Sequence, residues 1–208
     1  MAIRCSRAAT GIQKIMKMEG GYHGSYEMAE VSLAPFPKNR GDLEEPNSLP
    51  IDGSFPDSVL EDTVICPYNQ PSMAQALIDK YASELAAIIV EPVRGSMGMV
   101  PETKEFLQAL RDSATKHGII LIFDEVITGW GRMGSAFASQ EFGVIPDVVT
   151  MAKATTNGVV PMGAVAVKEE IYDAVMDASS GSAVELFHGY TYSGITIAVA
   201  AALAVQDI

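Results

Sequence analysis

From Pro71 onward the chain alternates short apolar runs with amphipathic stretches of three or four turns, and this alternation restricts the fold more than any other feature. The periodicity predicts helices over residues 73–85, 103–116 and 169–176 and strands over 86–90, 119–123, 148–151 and 163–167. Strands separated by helices of this length build βαβ units. The expected class is therefore α/β, with a mostly parallel central sheet flanked by helices. Residues 1–9 read as a short helix without a visible cap, stopped by Thr10-Gly11. Residues 20–70 are rich in Gly, Asn, Ser and Asp and contain Pro35, Pro37, Pro46, Pro50, Pro56 and Pro67, so a long irregular excursion is expected there. Residues 197–205 are apolar nearly all round and read as a buried helix.

Charge narrows the possible partners. With 14 basic against 26 acidic side chains and a net charge of -12, the chain lacks the electrostatic means to grip nucleic acid or an anionic membrane surface. Small polar substrates remain. Cys5 and Cys66 are far apart and have no ligand-like spacing, so neither a disulfide framework nor a metal site is expected, and a reducing, cytoplasmic setting fits. The start of the chain lacks the apolar core of a secretory signal, and the longest apolar run is too short to span a bilayer.

Two charged residues stand where apolar strands end: Asp124 after Ile119 to Phe123, and Lys153 just past Val148 to Met151. In open α/β sheets, ligands collect at the carboxyl ends of strands, so the two charges are expected to meet at one pocket. Asp124 alone reads equally well as a helix N-cap. An isolated lysine is usually an exposed, snorkelling side chain. Together they suggest carboxylate-plus-amine chemistry. Apolar and small neighbours are expected to desolvate Lys153 and so free its amine to attack a carbonyl. A pyridoxal phosphate (PLP) enzyme needs such a lysine, and an acid that keeps the pyridine nitrogen protonated.

Six segments carry a more specific likeness: Gly21-Tyr22-His23-Gly24, Val90-Glu91-Pro92, Leu121 to Arg132, Pro146-Asp147 with Met151-Ala152-Lys153, Pro161 to Ala164, and Thr191-Tyr192-Ser193-Gly194. In this order and spacing the chain resembles the class III aminotransferases, PLP-dependent enzymes of fold type I that include ω-amino-acid:pyruvate aminotransferases and glutamate-1-semialdehyde 2,1-aminomutase. The resemblance implies the large PLP-binding domain of that fold. It implies that Lys153 forms the Schiff base with the cofactor and shuttles protons, and that Asp124 pairs with the pyridinium nitrogen. Val126 is implied against one ring face, with Tyr22 stacked on the other and His23 beside them. Glu91 is implied near the site or as its scaffold, and Trp130 at the substrate mouth. Thr191 is implied to reach the cofactor phosphate of a neighbouring subunit, so that a homodimer shares its active sites. Arg132 reads better as a structural clamp in a Gly-rich turn than as a substrate ligand.

Departures from the family pattern accompany these matches. The phosphate cup that precedes the first helix in the family has no counterpart here, and the chain stops before the family's C-terminal small domain. Residues 1–208 are therefore expected to be the central part of the large domain in a longer protein, binding PLP poorly alone. After Gly194, Ile195-Thr196 stands where the family has Asn-Pro or His-Pro. The expected activity is amino transfer between an amino donor and an oxo acid or aldehyde. Intramolecular transfer by an aminomutase is the alternative, and a truncated, non-catalytic α/β binding or dimerisation domain is the reading from another class.

Overall fold

Consecutive aliphatic residues fix the centre of the sheet. Leu85–Val90 (β3) and Ile120–Asp124 (β6) are buried at every position, which a strand achieves only when both faces of its sheet are covered. In the computed structural model, which describes residues 1–178 and 186–207, the other strands are Lys14–Met18 (β1), Thr63–Cys66 (β2), Val93–Arg94 (β4), Val100–Pro101 (β5), Val148–Met151 (β7) and Ala164–Val167 (β8). The helices are Ala2–Thr10 (α1), Glu27–Glu30 (α2), Asp57–Glu61 (α3), Pro71–Tyr81 (α4), Lys104–His117 (α5), Ala138–Phe142 (α6), Glu169–Asp177 (α7) and Thr196–Gln206 (α8). Six strands form one sheet in the order β2-β1-β3-β6-β7-β8, and β4 pairs with β5 as a separate ribbon. Every pairing in the large sheet is parallel except that of β7 with the edge strand β8.

Because successive strand side chains point to opposite faces, the sheet divides the core in two. Met16, Ile88, Leu121 and Phe123 pack under α4 and α5, against Leu77, Ile78, Phe106 and Leu110. Ile15, Ile89, Ile122 and Val148 face the other way, onto Ile3 of α1 and Ile171 of α7. Burying each such side chain contributes roughly 1.5–3 kcal/mol. Thr103 caps α5 by accepting from the Phe106 N–H, and Gly118 closes it at φ 68°.

The α/β architecture and its mostly parallel sheet agree with the sequence reading, but four local expectations need correction. The strand β1 was not expected: Lys-Ile-Met-Lys-Met carries two lysines and no β-branched pair, so its composition hides a strand held between β2 and β3. The stretch 20–70 is not wholly irregular, since it holds α2, α3 and the buried strand β2. α4 begins at Pro71, where proline's missing N–H costs nothing, and ends at Tyr81, leaving Leu85 to the strand. Finally, α8 is not buried. Ala198 and Ala202 face inward, while Ile197 and Leu203 are 61% and 58% exposed. No described helix is long and apolar enough to cross a membrane.

One of the β1 lysines is wholly enclosed. Lys17 donates from Nζ to the Val31 carbonyl at 2.6 Å, pinning the loop that follows α2. Burial pulls its pKa from 10.5 down to about 7, against the opposing charges of Glu91 and Glu19. The unfolded chain thus binds more protons than the folded one between about pH 7 and 10.5, so this group's destabilisation is full below that window and fades as pH rises through it. Lys17→Met is expected to raise stability at neutral pH, on the order of 1–3 kcal/mol, and to flatten the rise. Urea midpoints at the two ends of the window check this; an unchanged slope would refute it.

Candidate active site

Asp124 is the last residue of β6 and pairs in register with Thr150 of β7; Lys153 follows three residues later. The sheet thus delivers the acid and the amine to the carboxyl ends of adjacent parallel strands, where ligands settle in such folds. Lys153 opens a 3₁₀ turn over Lys153–Thr156. Its φ of 45° is a left-handed conformation rarely taken by residues other than glycine. The turn is tied by the Thr155 N–H and hydroxyl, both donating to the Ala152 carbonyl at 2.9 Å. The expected desolvation of Lys153 is not met. Ala154, Thr155 and Thr156 turn inward, but the lysine itself is exposed, because the strand carries it past the covered part of the sheet.

Asp124 is buried and fully engaged. One carboxylate oxygen lies 2.8 Å from His23 Nδ1, whose side chain is only 2% exposed; the other accepts from the Thr150 hydroxyl at 2.9 Å and the Val126 N–H at 3.2 Å. Burial acts to raise the Asp124 pKa, but His23 at hydrogen-bond distance, with Thr150 and Val126, outweighs it and holds the acid below the ordinary carboxylate value. The result is a carboxylate kept negative in a dry setting.

Tyr22 precedes His23 on the loop after β1 and is 40% exposed. Its backbone N–H donates to Glu91 Oε2 at 3.1 Å, while Glu91 Oε1 lies 3.3 Å from the Gly95 N–H that donates to it. The buried Glu91 therefore clasps two loops at the same end of the sheet and acts as scaffold for Tyr22.

Glu125, unassigned from the sequence, organises the next loop. It is fully buried and accepts from Thr128 Oγ1 at 2.9 Å, Ala138 N at 2.7 Å and Ser139 N at 2.9 Å. Its carboxylate thus caps α6 from far upstream, where the free N–H groups and the helix dipole favour a negative charge. Gly129 is required beneath it: a Cβ there would lie 2.9 Å from the Glu125 carbonyl. Trp130, at φ 63°, packs its ring on Phe137 with centroids 5.3 Å apart. Arg132 does not act as a clamp: it is exposed and forms no ion pair among the described residues.

The structure thus gathers Asp124, His23 and Val126, with Tyr22 beside His23 on the loop after β1, Glu91 just past β3, and Lys153 one strand away. Thr191 is exposed, in a turn closed by the Ser193 N–H donating to the Tyr190 carbonyl. Thr150 was missed, although a lone threonine in an apolar strand, Val148-Val149-Thr150-Met151, was its signal. No grouping that could hold a metal ion occurs among the described residues.

Known proteins resemble this chain in sequence and in fold. The chain is 43% identical over 206 residues to an omega-aminotransferase of Caulobacter vibrioides, covering 93% of this chain and 45% of that protein. It is 38% identical over 200 residues to a glutamate-1-semialdehyde 2,1-aminomutase of Rhodopirellula baltica, covering 96% and 42%. A solved transaminase with PLP bound matches at a TM-score of 0.85 and 32% identity, covering 100% of this chain and 46% of its own. The chain spans a little under half the length of these relatives. The family profile Aminotransferase class-III matches residues 1–208, and the chain belongs to that family.

Proposed function

We propose that this chain forms the central part of the large, cofactor-binding domain of a PLP-dependent enzyme that moves an amino group from an amino donor to an oxo acid or aldehyde. The observation that carries this reading is the Asp124 carboxylate, held negative at the end of β6, one strand from the Lys153 amine at the end of β7. The donor set suits the cofactor. A carboxylate below its ordinary pKa favours a protonated pyridine nitrogen, a half-exposed Tyr22 offers a ring face for stacking, and Lys153 offers a primary amine for covalent attachment. When bound, the cofactor supplies an aldehyde for the substrate nitrogen and a cationic ring that withdraws the electrons left on the substrate carbon. The chain's own residues do the rest: Asp124 and His23 hold the ring charge, Val126 lies beside Asp124, and Lys153 carries protons at the substrate carbon. Trp130 borders the substrate, and exposed Thr191 reaches toward the phosphate site of a second subunit in a homodimer.

Trapping tests the reading. Incubation with excess PLP and then borohydride is expected to leave a stable adduct, located by peptide mass analysis on Lys153; no adduct there would favour an inert binding domain. The likeness to an aminomutase along nearly the whole chain supports a second reading, intramolecular transfer. Amino transfer from an ω-amino acid to pyruvate favours the first; conversion of glutamate 1-semialdehyde with no external acceptor favours the second.

A further inference from the structure

Behind Asp124 and His23 lies a second set of polar groups that the proposed chemistry leaves unused. His23 Nε2 and the Tyr68 hydroxyl are both sealed from solvent, and neither has a hydrogen-bond partner among the described residues. Gly21 adjoins both: a Cβ built on it would meet the Met18 carbonyl at 3.1 Å, His23 Nε2 at 3.2 Å and the Tyr68 hydroxyl at 3.2 Å. The two atoms are therefore no more than twice that distance apart, within the reach of one water hydrogen-bonded to both. Left unconnected, each would bear the cost of a buried polar group without a partner, about 1–3 kcal/mol. Gly21 sets no side chain against either atom.

The geometry points to Tyr68 as a positioning residue: its hydroxyl, through one bridging water, supplies a hydrogen bond to His23 Nε2 and so fixes the ring proton on Nδ1, facing Asp124. The direction of donation follows from the surroundings. Nδ1 lies against a carboxylate, which can only accept, so Nδ1 carries a proton, and the tautomer protonated there alone presents Nε2 as an acceptor. Tyr68 stays a phenol able to donate, because burial first, and then the charges of Glu91 and Glu102, raise its pKa against the pull of Arg94. The Arg94 guanidinium sits 3.8 Å from the Tyr68 ring centroid and holds the ring in place. With the Nδ1 proton directed at Asp124, the carboxylate is held in place toward the ring nitrogen it faces, a consequence that rests on the proposed function; the hydrogen bonding itself does not.

Nitrogen-15 spectra of the histidine rings, recorded on the chain without added cofactor, test the inference. Only His23, His117 and His188 contribute, and a His23→Asn variant identifies the signals of His23. The expected pattern is a protonated Nδ1 and an unprotonated Nε2 shifted by an accepted hydrogen bond. Tyr68→Phe removes the donor, and Gly21→Ala sets a methyl group against both atoms while keeping Tyr68. Both are expected to lose that shift and to let the Nε2-protonated tautomer appear. Unchanged His117 and His188 signals show that each variant has kept its fold. A protonated Nε2 in the parent chain, or a shift that survives either substitution, overturns the inference. Because no cofactor is present, the outcome is independent of whether Lys153 attaches PLP.

Discussion

Lys153→Ala is expected to abolish amino transfer in the catalytically competent protein, with a fall of about 10³-fold or more, while some noncovalent cofactor binding persists. Under the proposed function, the substitution removes two things at once, the amine proposed to attach the cofactor and the base proposed to carry the proton at the substrate carbon. Folding has little reason to suffer. Lys153 is exposed, and alanine at φ 45° is no more strained than the lysine it replaces. Asp124, with its partners His23, Thr150 and Val126, is left intact to face the ring nitrogen. Single-turnover measurements with an ω-amino acid, beside a titration of PLP absorbance, separate loss of chemistry from loss of binding. Turnover within tenfold of the parent would remove Lys153 from the mechanism.

Glu125→Ala is expected to produce the largest loss of stability, about 3–5 kcal/mol. It would strand the N–H groups of Ala138 and Ser139 and the Thr128 hydroxyl in a buried space and leave a cavity under the loop that carries Trp130. Glu125→Gln keeps the volume but sets an NH₂ against N–H donors, so it is expected to recover only part of the loss. Denaturant unfolding followed by the single tryptophan reports both variants. A loss below about 1 kcal/mol for the alanine variant would show that solvent or a neighbouring group satisfies those donors instead.

The legible parts of the fold are those where local pattern and tertiary fate coincide. β3 and β6 are recognisable because strands covered on both faces must be apolar at every position. α5 is recognisable from the cap at Thr103, the apolar period and Gly118. β1 escapes notice because lysine normally marks a solvated face, yet Lys17 is enclosed by the loop it ties down at Val31. α8 misleads in the opposite direction, since an apolar composition says that a surface wants covering but not what covers it.

The same division runs through the candidate site. The sequence alone determined the α/β class, the family, and the placement of Asp124 and Lys153 at strand ends, because these depend on short-range periodicity and on motifs contiguous in the chain. Only the tertiary structure decided that His23 meets Asp124 across 101 positions, that Thr150 completes the carboxylate's partners, that Glu91 holds Tyr22, and that Lys153 stands exposed. Hydrogen bonds between distant residues depend on strand order and register, and both are set by how the sheet buries its two faces at once.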